Sequence, residues 1–198
     1  MSLEERVFSK GDAIALRMVD MQPPLIAPES AEPTPVDVVG TANLSADDAS
    51  IINTFICEQI EEYESLKTAP LKQYHVHPHF IKGNGEMSAR RYSCAGFVFE
   101  AYLDVGLTLV DVSSLPGVAL DSLKLAYPDD LHPVLDNPKL RSRAGLSGDG
   151  PWPVLLPGYL FHSLSRDASL IRQSPYEAQT GDECFPRRES AELTNVDL

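Results

Sequence analysis

The pattern of apolar and polar positions predicts a long amphipathic helix over about residues 47–66. Apolar side chains recur there three or four residues apart, as one face of an α-helix requires, and glutamates fill the positions between them. Ser45 and Asp48 have the spacing of a capping box, in which each residue satisfies an amide of the other. Pro70 follows the predicted end.

A second helix is predicted from near Ser93 to near Gly106. Serine is a favoured N-terminal cap, and glycine tolerates the positive φ that commonly ends a helix. The apolar stripe between them consists of Phe97, Val98, Ala101, Tyr102 and Val105. Residues 119–126 predict a third, shorter helix, which a Tyr-Pro-Asp-Asp turn follows.

Extended segments are predicted at residues 74–81, 154–156 and 159–164. The first leads into a Gly-Asn-Gly turn at residues 83–85, and the other two flank a Pro-Gly turn. Residues 137–153, rich in glycine, proline and serine, predict a loop.

This mixture of helices and strands does not alternate strictly, so it predicts an α+β fold. We expect a small antiparallel sheet with a nucleophile-bearing helix packed on it, plus an extra N-terminal amphipathic helix. Residues 1–184 are expected to form a single domain. Residues 22–35, with five prolines, form a loop within it, and residues 185–198 form a loosely ordered tail.

Composition narrows the classes of function. The 198 residues carry a formal net charge of −13, which argues against binding nucleic acid through a basic face. No apolar run approaches the ~20 residues of a membrane-spanning helix, and the acidic first residues do not resemble a secretory signal. The three cysteines are too few and too widely spaced for a disulfide framework, which favours the cytoplasm. The oligomeric state stays open.

Cys94 is the most informative candidate residue, because it lies in the predicted first turn of the second helix. Unpaired amides and the helix dipole favour a thiolate at that position, and a thiolate is the form that attacks a carbonyl. Arg90 and Arg91, just upstream, add positive charge. The alternative interpretation is a cysteine packed in the core.

Residues 92–98, Tyr-Ser-Cys-Ala-Gly-Phe-Val, with the Gly-Asn-Gly turn before them and Gly106 after them, resemble the nucleophile segment of NlpC-type, papain-like cysteine hydrolases. The family usually has aspartate or asparagine where Ser93 stands and serine where Ala95 stands. The resemblance implies a Cys-His pair acting on an amide, peptide or thioester carbonyl of a peptide or small acyl substrate. It implies no cofactor.

Two chain orders exist in this superfamily, and each implies a different base. In the circularly permuted order the histidine strand precedes the cysteine. Residues 10–16 and the segment from residue 74 to residue 85 resemble its opening strand and its histidine strand, which makes His75 or His77 the base. In the usual order the strand follows the cysteine helix. Residues 157–162, Pro-Gly-Tyr-Leu-Phe-His, resemble that strand and make His162 the base.

Two other hypotheses are of different classes. The substitutions at Ser93, Ala95 and Tyr159 are also typical of a catalytically degenerate module that binds without reacting. In an extended strand His75, His77 and His79 share one face, and three imidazoles on one face are able to bind a transition metal.

Overall fold

The computed structural model describes residues 42–66, 75–76, 79–82, 88–127 and 129–184. The proline-rich loop at 22–35, the turn at 83–85 and the tail at 185–198 lie outside the described residues, so those expectations stay predictions. So does the assignment of residues 1–184 to a single domain.

The first helix, α1, spans Ala46–Leu66, as the sequence predicts. Its capping box is formed: the Ser45 N–H donates to Asp48 Oδ2 at 2.9 Å, and the Asp48 N–H donates to Ser45 Oγ at 3.0 Å. Ile52, Phe55 and Ile56 are buried on the inner face of the helix. Local capping and a continuous apolar face therefore account for this element.

A short antiparallel hairpin leads into the second helix. Strand β1 (His79–Lys82) pairs with β2 (Ser88–Arg91), with His79 opposite Arg91 and Lys82 opposite Ser88. Helix α2 (Cys94–Leu103) begins shortly after β2, and Ser93 is its N-terminal cap. Gly106, at φ +73°, follows its end. The predicted helix is confirmed, with its last turn closing a little before the glycine.

Helices α1 and α2 are joined by an aromatic cluster. The ring centroid of Phe97 lies 5.7 Å from that of Phe55 and 5.6 Å from that of Tyr92. Tyr92 also donates a hydrogen bond of 2.9 Å from its hydroxyl to Gln59 Oε1. The start of α2 is thus held against α1 by buried contacts on both sides of Cys94.

The rest of the described chain is made of short elements. Helix α3 (Leu120–Ala126) confirms the prediction for residues 119–126. The strands β3 (Gly117–Val118) and β4 (Trp152–Pro153) pair antiparallel as a second two-stranded sheet. In chain order the elements are β3 (Gly117–Val118), α3 (Leu120–Ala126), α4 (His132–Asp136), α5 (Pro138–Arg143), β4 (Trp152–Pro153), α6 (Pro157–Leu164) and α7 (Ala168–Gln173).

The loop predicted over residues 137–153 is wrong in its first part, which forms α5. Asn137 caps this helix through its Oδ1, which accepts from the N–H groups of Lys139 and Leu140. Pro138 occupies the first turn, where its missing N–H costs nothing. The glycines and serines of the segment lie mainly after the helix.

The strands predicted at residues 154–156 and 159–164 are also wrong. Residues 154–156 are buried without regular secondary structure, and the second segment lies within α6. Pro157 begins that helix, and its buried face is formed by Gly158, Tyr159, Leu160 and Ser163. A short apolar run fits strand and helix equally well, and here the proline opens a helix instead of closing a turn.

The predicted α+β class is confirmed: a small antiparallel sheet lies beside the helix that bears Cys94, and α1 is the additional helix. The hydrophobic core runs through the described part of the chain, with Tyr92, Leu109, Leu156 and Tyr159 among its fully buried members. Of the helices in the described ranges, none is both long enough and apolar enough to cross a membrane.

Candidate functional site

Cys94 is the first residue of α2 and is partly exposed. Its neighbours on both sides are buried, since Ser93 is 0% and Ala95 is 2% exposed. Cys94 is therefore the residue of this first turn that is open to solvent. Cys94 also packs against the hydrophobic core, so the nucleophile and the packed-cysteine interpretations both stay predictions.

Ser93 caps the start of α2 and accepts hydrogen bonds from two of its first N–H groups. Ser93 Oγ accepts from the Gly96 N–H at 3.0 Å, and Ser93 O accepts from the Phe97 N–H at 2.9 Å. At any helix start the first N–H groups point out along the helix axis. Together with the helix dipole, such groups favour negative charge at this end.

His75 is hydrogen bonded to the chain that leads into Cys94. Its backbone N–H donates to Tyr92 O at 3.2 Å, and the N–H of Val76 donates to Ala144 O at 2.9 Å. The segment of residues 75–76 therefore lies between the entry to α2 and the end of α5. These bonds bring His75 beside the chain that leads into Cys94.

The imidazole of His75 lies against Gly145. A Cβ on Gly145 would be 2.5 Å from Cε1, 2.8 Å from Nε2 and 3.0 Å from Nδ1 of His75. With the ring in this position, a Cβ on Gly145 would overlap it, so one of the two groups would have to shift. Cys94, His75 and Gly145 are called the candidate site from here on.

Arg90 contributes less positive charge to the site than its sequence position indicates. Its Nη1 lies 3.1 Å from Glu100 Oε2 on α2. Burial raises the pKa of Glu100, and the guanidinium of Arg90 partly opposes that rise. The pKa of Glu62 on α1 is likewise raised by burial and lowered by Arg90. Arg90 thus lowers the pKa of one carboxyl group on each of the two helices.

His162 belongs to a second cluster, on α6 and not on a strand. Its Nε2 lies 3.8 Å from Asp182 Oδ1, and its ring stacks on Tyr176 with centroids 6.2 Å apart. Tyr176 in turn donates a hydrogen bond of 2.5 Å to Asp182 Oδ2. The strand that the usual chain order needs for this histidine is replaced by a helix, whereas His75 is hydrogen bonded to the segment preceding Cys94.

The remaining histidine candidates lie beyond what the structure describes. His77 is outside the described residues, and His79 is placed only as the first residue of β1. Within the described ranges, no group of three or more His, Cys, Asp or Glu side chains is arranged to hold a metal ion. The metal-binding hypothesis for His75, His77 and His79 stays a prediction.

Sequence reasoning missed Gly145, because it placed the whole of residues 137–153 in a loop. A signal was present: Asn137 and Pro138 form a cap and first turn, and Gly145 stands where a terminating glycine follows a short helix. Comparisons of the chain with models of protein families, with curated proteins and with solved structures find no match.

Proposed function

We propose that the chain is a cysteine hydrolase or acyl-transfer enzyme in which Cys94 is the nucleophile and His75 the general base. The observation that carries this proposal is the hydrogen bond from the His75 N–H to Tyr92 O, two residues before a partly exposed cysteine at a helix start. The histidine precedes the cysteine in the chain, which is the order of the permuted papain-like enzymes. The substrate is an amide, peptide or thioester carbonyl.

The residues support a two-step reaction. The Cys94 thiol transfers its proton to the imidazole of His75, and the thiolate attacks the carbonyl carbon. The carbonyl oxygen becomes an oxyanion, which the positive end of the α2 dipole stabilises. The protonated imidazole then gives its proton to the leaving amine or thiol, and a thioester to Cys94 remains. Water, or an acceptor nucleophile, attacks that thioester and regenerates the thiol.

Thiol labelling tests the nucleophile with controls inside the same chain. The folded protein is treated with limiting iodoacetamide from pH 5 to pH 9, and each cysteine is quantified by peptide mass spectrometry. Cys57 and Cys184 are also partly exposed, so they correct for simple accessibility. We expect Cys94 to react faster than both at pH 6, with an apparent pKa well below the ~8.5 of an ordinary thiol.

Two histidine variants identify the base. His75→Ala is expected to return the labelling profile of Cys94 to that of an ordinary thiol. His162→Ala is the matched control, since its histidine belongs to the cluster with Asp182. The reverse result would favour the usual chain order. If Cys94 labels no faster than Cys57 and Cys184 in the wild type, the enzyme proposal fails and the degenerate binding module replaces it.

A further inference from the structure

Gly145 ends α5 in a Schellman motif, in which two amides turn back onto the last helical carbonyls. The Gly145 N–H donates to Ser142 O at 3.1 Å, and the Leu146 N–H donates to Arg141 O at 3.0 Å. This motif requires a left-handed residue, and Gly145 has φ +102°. The backbone geometry alone therefore selects glycine or, less well, asparagine.

A second requirement acts on the same residue from outside the helix. All three atoms of the Nδ1–Cε1–Nε2 edge of His75 lie within 3.0 Å of where a Cβ of Gly145 would be. The residue just before Gly145 holds the same segment by its backbone, because Ala144 O accepts from the Val76 N–H. The end of α5 thus contacts both the main chain and the ring of this short segment.

We infer that Gly145 is a positioning residue for the reaction: its bare Cα is the surface against which the His75 imidazole is set for Cys94. The inference rests on the proposed function of that pair. Both ring nitrogens lie on the edge that faces Gly145, so a Cβ on Gly145 would displace both of them. A base has to be within hydrogen-bond reach of the proton that it takes.

Buried contacts of α5 hold the turn that contains Gly145. Arg141 donates from Nη1 to Leu135 O at 2.7 Å, and its guanidinium lies 5.2 Å from the ring centroid of Trp152. Leu146 is 1% exposed. The turn that contains Gly145 is therefore anchored in the core.

Gly148 provides a matched control for the test. It has φ +77°, so Gly148→Ala strains the backbone, as Gly145→Ala does at φ +102°, but a Cβ on Gly148 has nothing within 4 Å. Charged side chains on the flanking elements, Arg90 and Arg91 on β2 and Arg141 and Arg143 on α5, are unchanged in both variants. A difference between them reports the contact with His75.

The readout is the pH profile of Cys94 alkylation, with unfolding by urea measured in parallel. We expect Gly148→Ala to keep the wild-type profile and Gly145→Ala to slow labelling of Cys94 at pH 6 by at least about tenfold, toward an ordinary thiol. Gly145→Asn separates strain from contact, because asparagine tolerates positive φ yet still carries a Cβ. Gly145→Asn is expected to slow the labelling of Cys94 as Gly145→Ala does.

The outcomes separate this inference from the proposed function. If His75→Ala slows the alkylation of Cys94 but Gly145→Ala and Gly145→Asn do not, the positioning role of Gly145 is overturned and the proposed pair of Cys94 and His75 stands. If His75→Ala leaves the pH profile of Cys94 alkylation unchanged, the proposed pair of Cys94 and His75 is overturned. Should neither glycine variant fold, an NMR measurement on the wild type decides: a nuclear Overhauser contact between Gly145 Hα and His75 Hε1 is expected, and its absence overturns the inference.

Discussion

The buried hydroxyl of Tyr92 donates to Oε1 of Gln59 across the interface between α1 and the start of α2, at 2.9 Å. Gln59 is 7% exposed and Tyr92 is 0% exposed, so neither group can turn to water without disturbing the core. Because Tyr92 stands two residues before Cys94, this bond also holds the chain just before the start of α2.

Replacement of Tyr92 by phenylalanine is expected to destabilise the fold while its aromatic contacts remain. The variant leaves the buried amide of Gln59 without this donor, which costs about 1–3 kcal/mol. Equilibrium urea denaturation measures the loss. The companion variant Gln59→Leu removes the other partner, and the double variant is expected to lose less than the sum of the two. Simple additivity would show that the bond contributes little.

Removal of the Ser93 cap is expected to affect stability more than nucleophilicity. Ser93→Ala leaves the Gly96 N–H without its side-chain acceptor and is expected to lower the free energy of unfolding by about 1 kcal/mol. The N–H groups of Cys94 and Ala95 are unaffected, so fast labelling of Cys94 at pH 6 is expected to persist. Ser93→Asn, which restores a capping oxygen, serves as the rescue. Slow labelling in Ser93→Ala alone would assign the serine a direct role at the thiol.

Asp48 is expected to make the fold sensitive to acid. Its hydrogen bond from the Ser45 N–H, and next its contact with Arg172 at 2.6 Å, hold its pKa below the usual 3.8. A carboxyl with a depressed pKa in the folded state stabilises the fold above its unfolded pKa, and this contribution disappears as the pH falls below about 4. Asp48→Asn is expected to flatten the fall in melting temperature between pH 5 and pH 3.

Asp47→Asn is the control for that measurement, because it removes the same charge from the same first turn of α1. Equal flattening by both variants would mean that general charge repulsion, and not the capping box with Arg172, governs the acid response.

Tyr176 is expected to make the fold sensitive to alkali. Burial, and then its hydrogen bond to Asp182, raise the pKa of Tyr176 from 10.0 to about 12. A group whose folded pKa exceeds its unfolded pKa stabilises the fold fully below the unfolded value, and this stability is lost as the pH rises from about 10 to about 12. Denaturation at pH 9 and pH 11 measures the loss, which Tyr176→Phe is expected to reduce. Phenolate absorbance is then titrated in the wild type and in Tyr176→Phe. One group fewer titrating near pH 12 in the variant supports the assignment, whereas an unchanged curve contradicts it.

The sequence alone was sufficient for the elements whose causes lie within a few residues. The capping box of Ser45 and Asp48 fixed the start of α1, and Ser93 fixed the start of α2 and hence the place of Cys94 at a helix terminus. The secondary structure of residues 157–164 was predicted wrongly because a short apolar run fits the period of a strand and that of a helix. Packing in the core, where Ser163 Oγ donates to the carbonyl of Leu109, makes the helix the better solution. Helix α5 was missed although Asn137, Pro138 and Gly145 mark its ends.

Which of the candidate histidines lies beside the chain that leads into Cys94 depends on the tertiary structure. From the sequence, His75, His77 and His162 were all eligible, because each lies in a segment that resembles a strand of one chain order. The hydrogen bonds from residues 75 and 76 to Tyr92 and Ala144 bring His75 to the segment that precedes Cys94, whereas the ring of His162 stacks on Tyr176. A cap depends on atoms that the chain brings together within one turn, whereas these contacts join segments far apart in sequence, and packing of the whole core determines which of them meet.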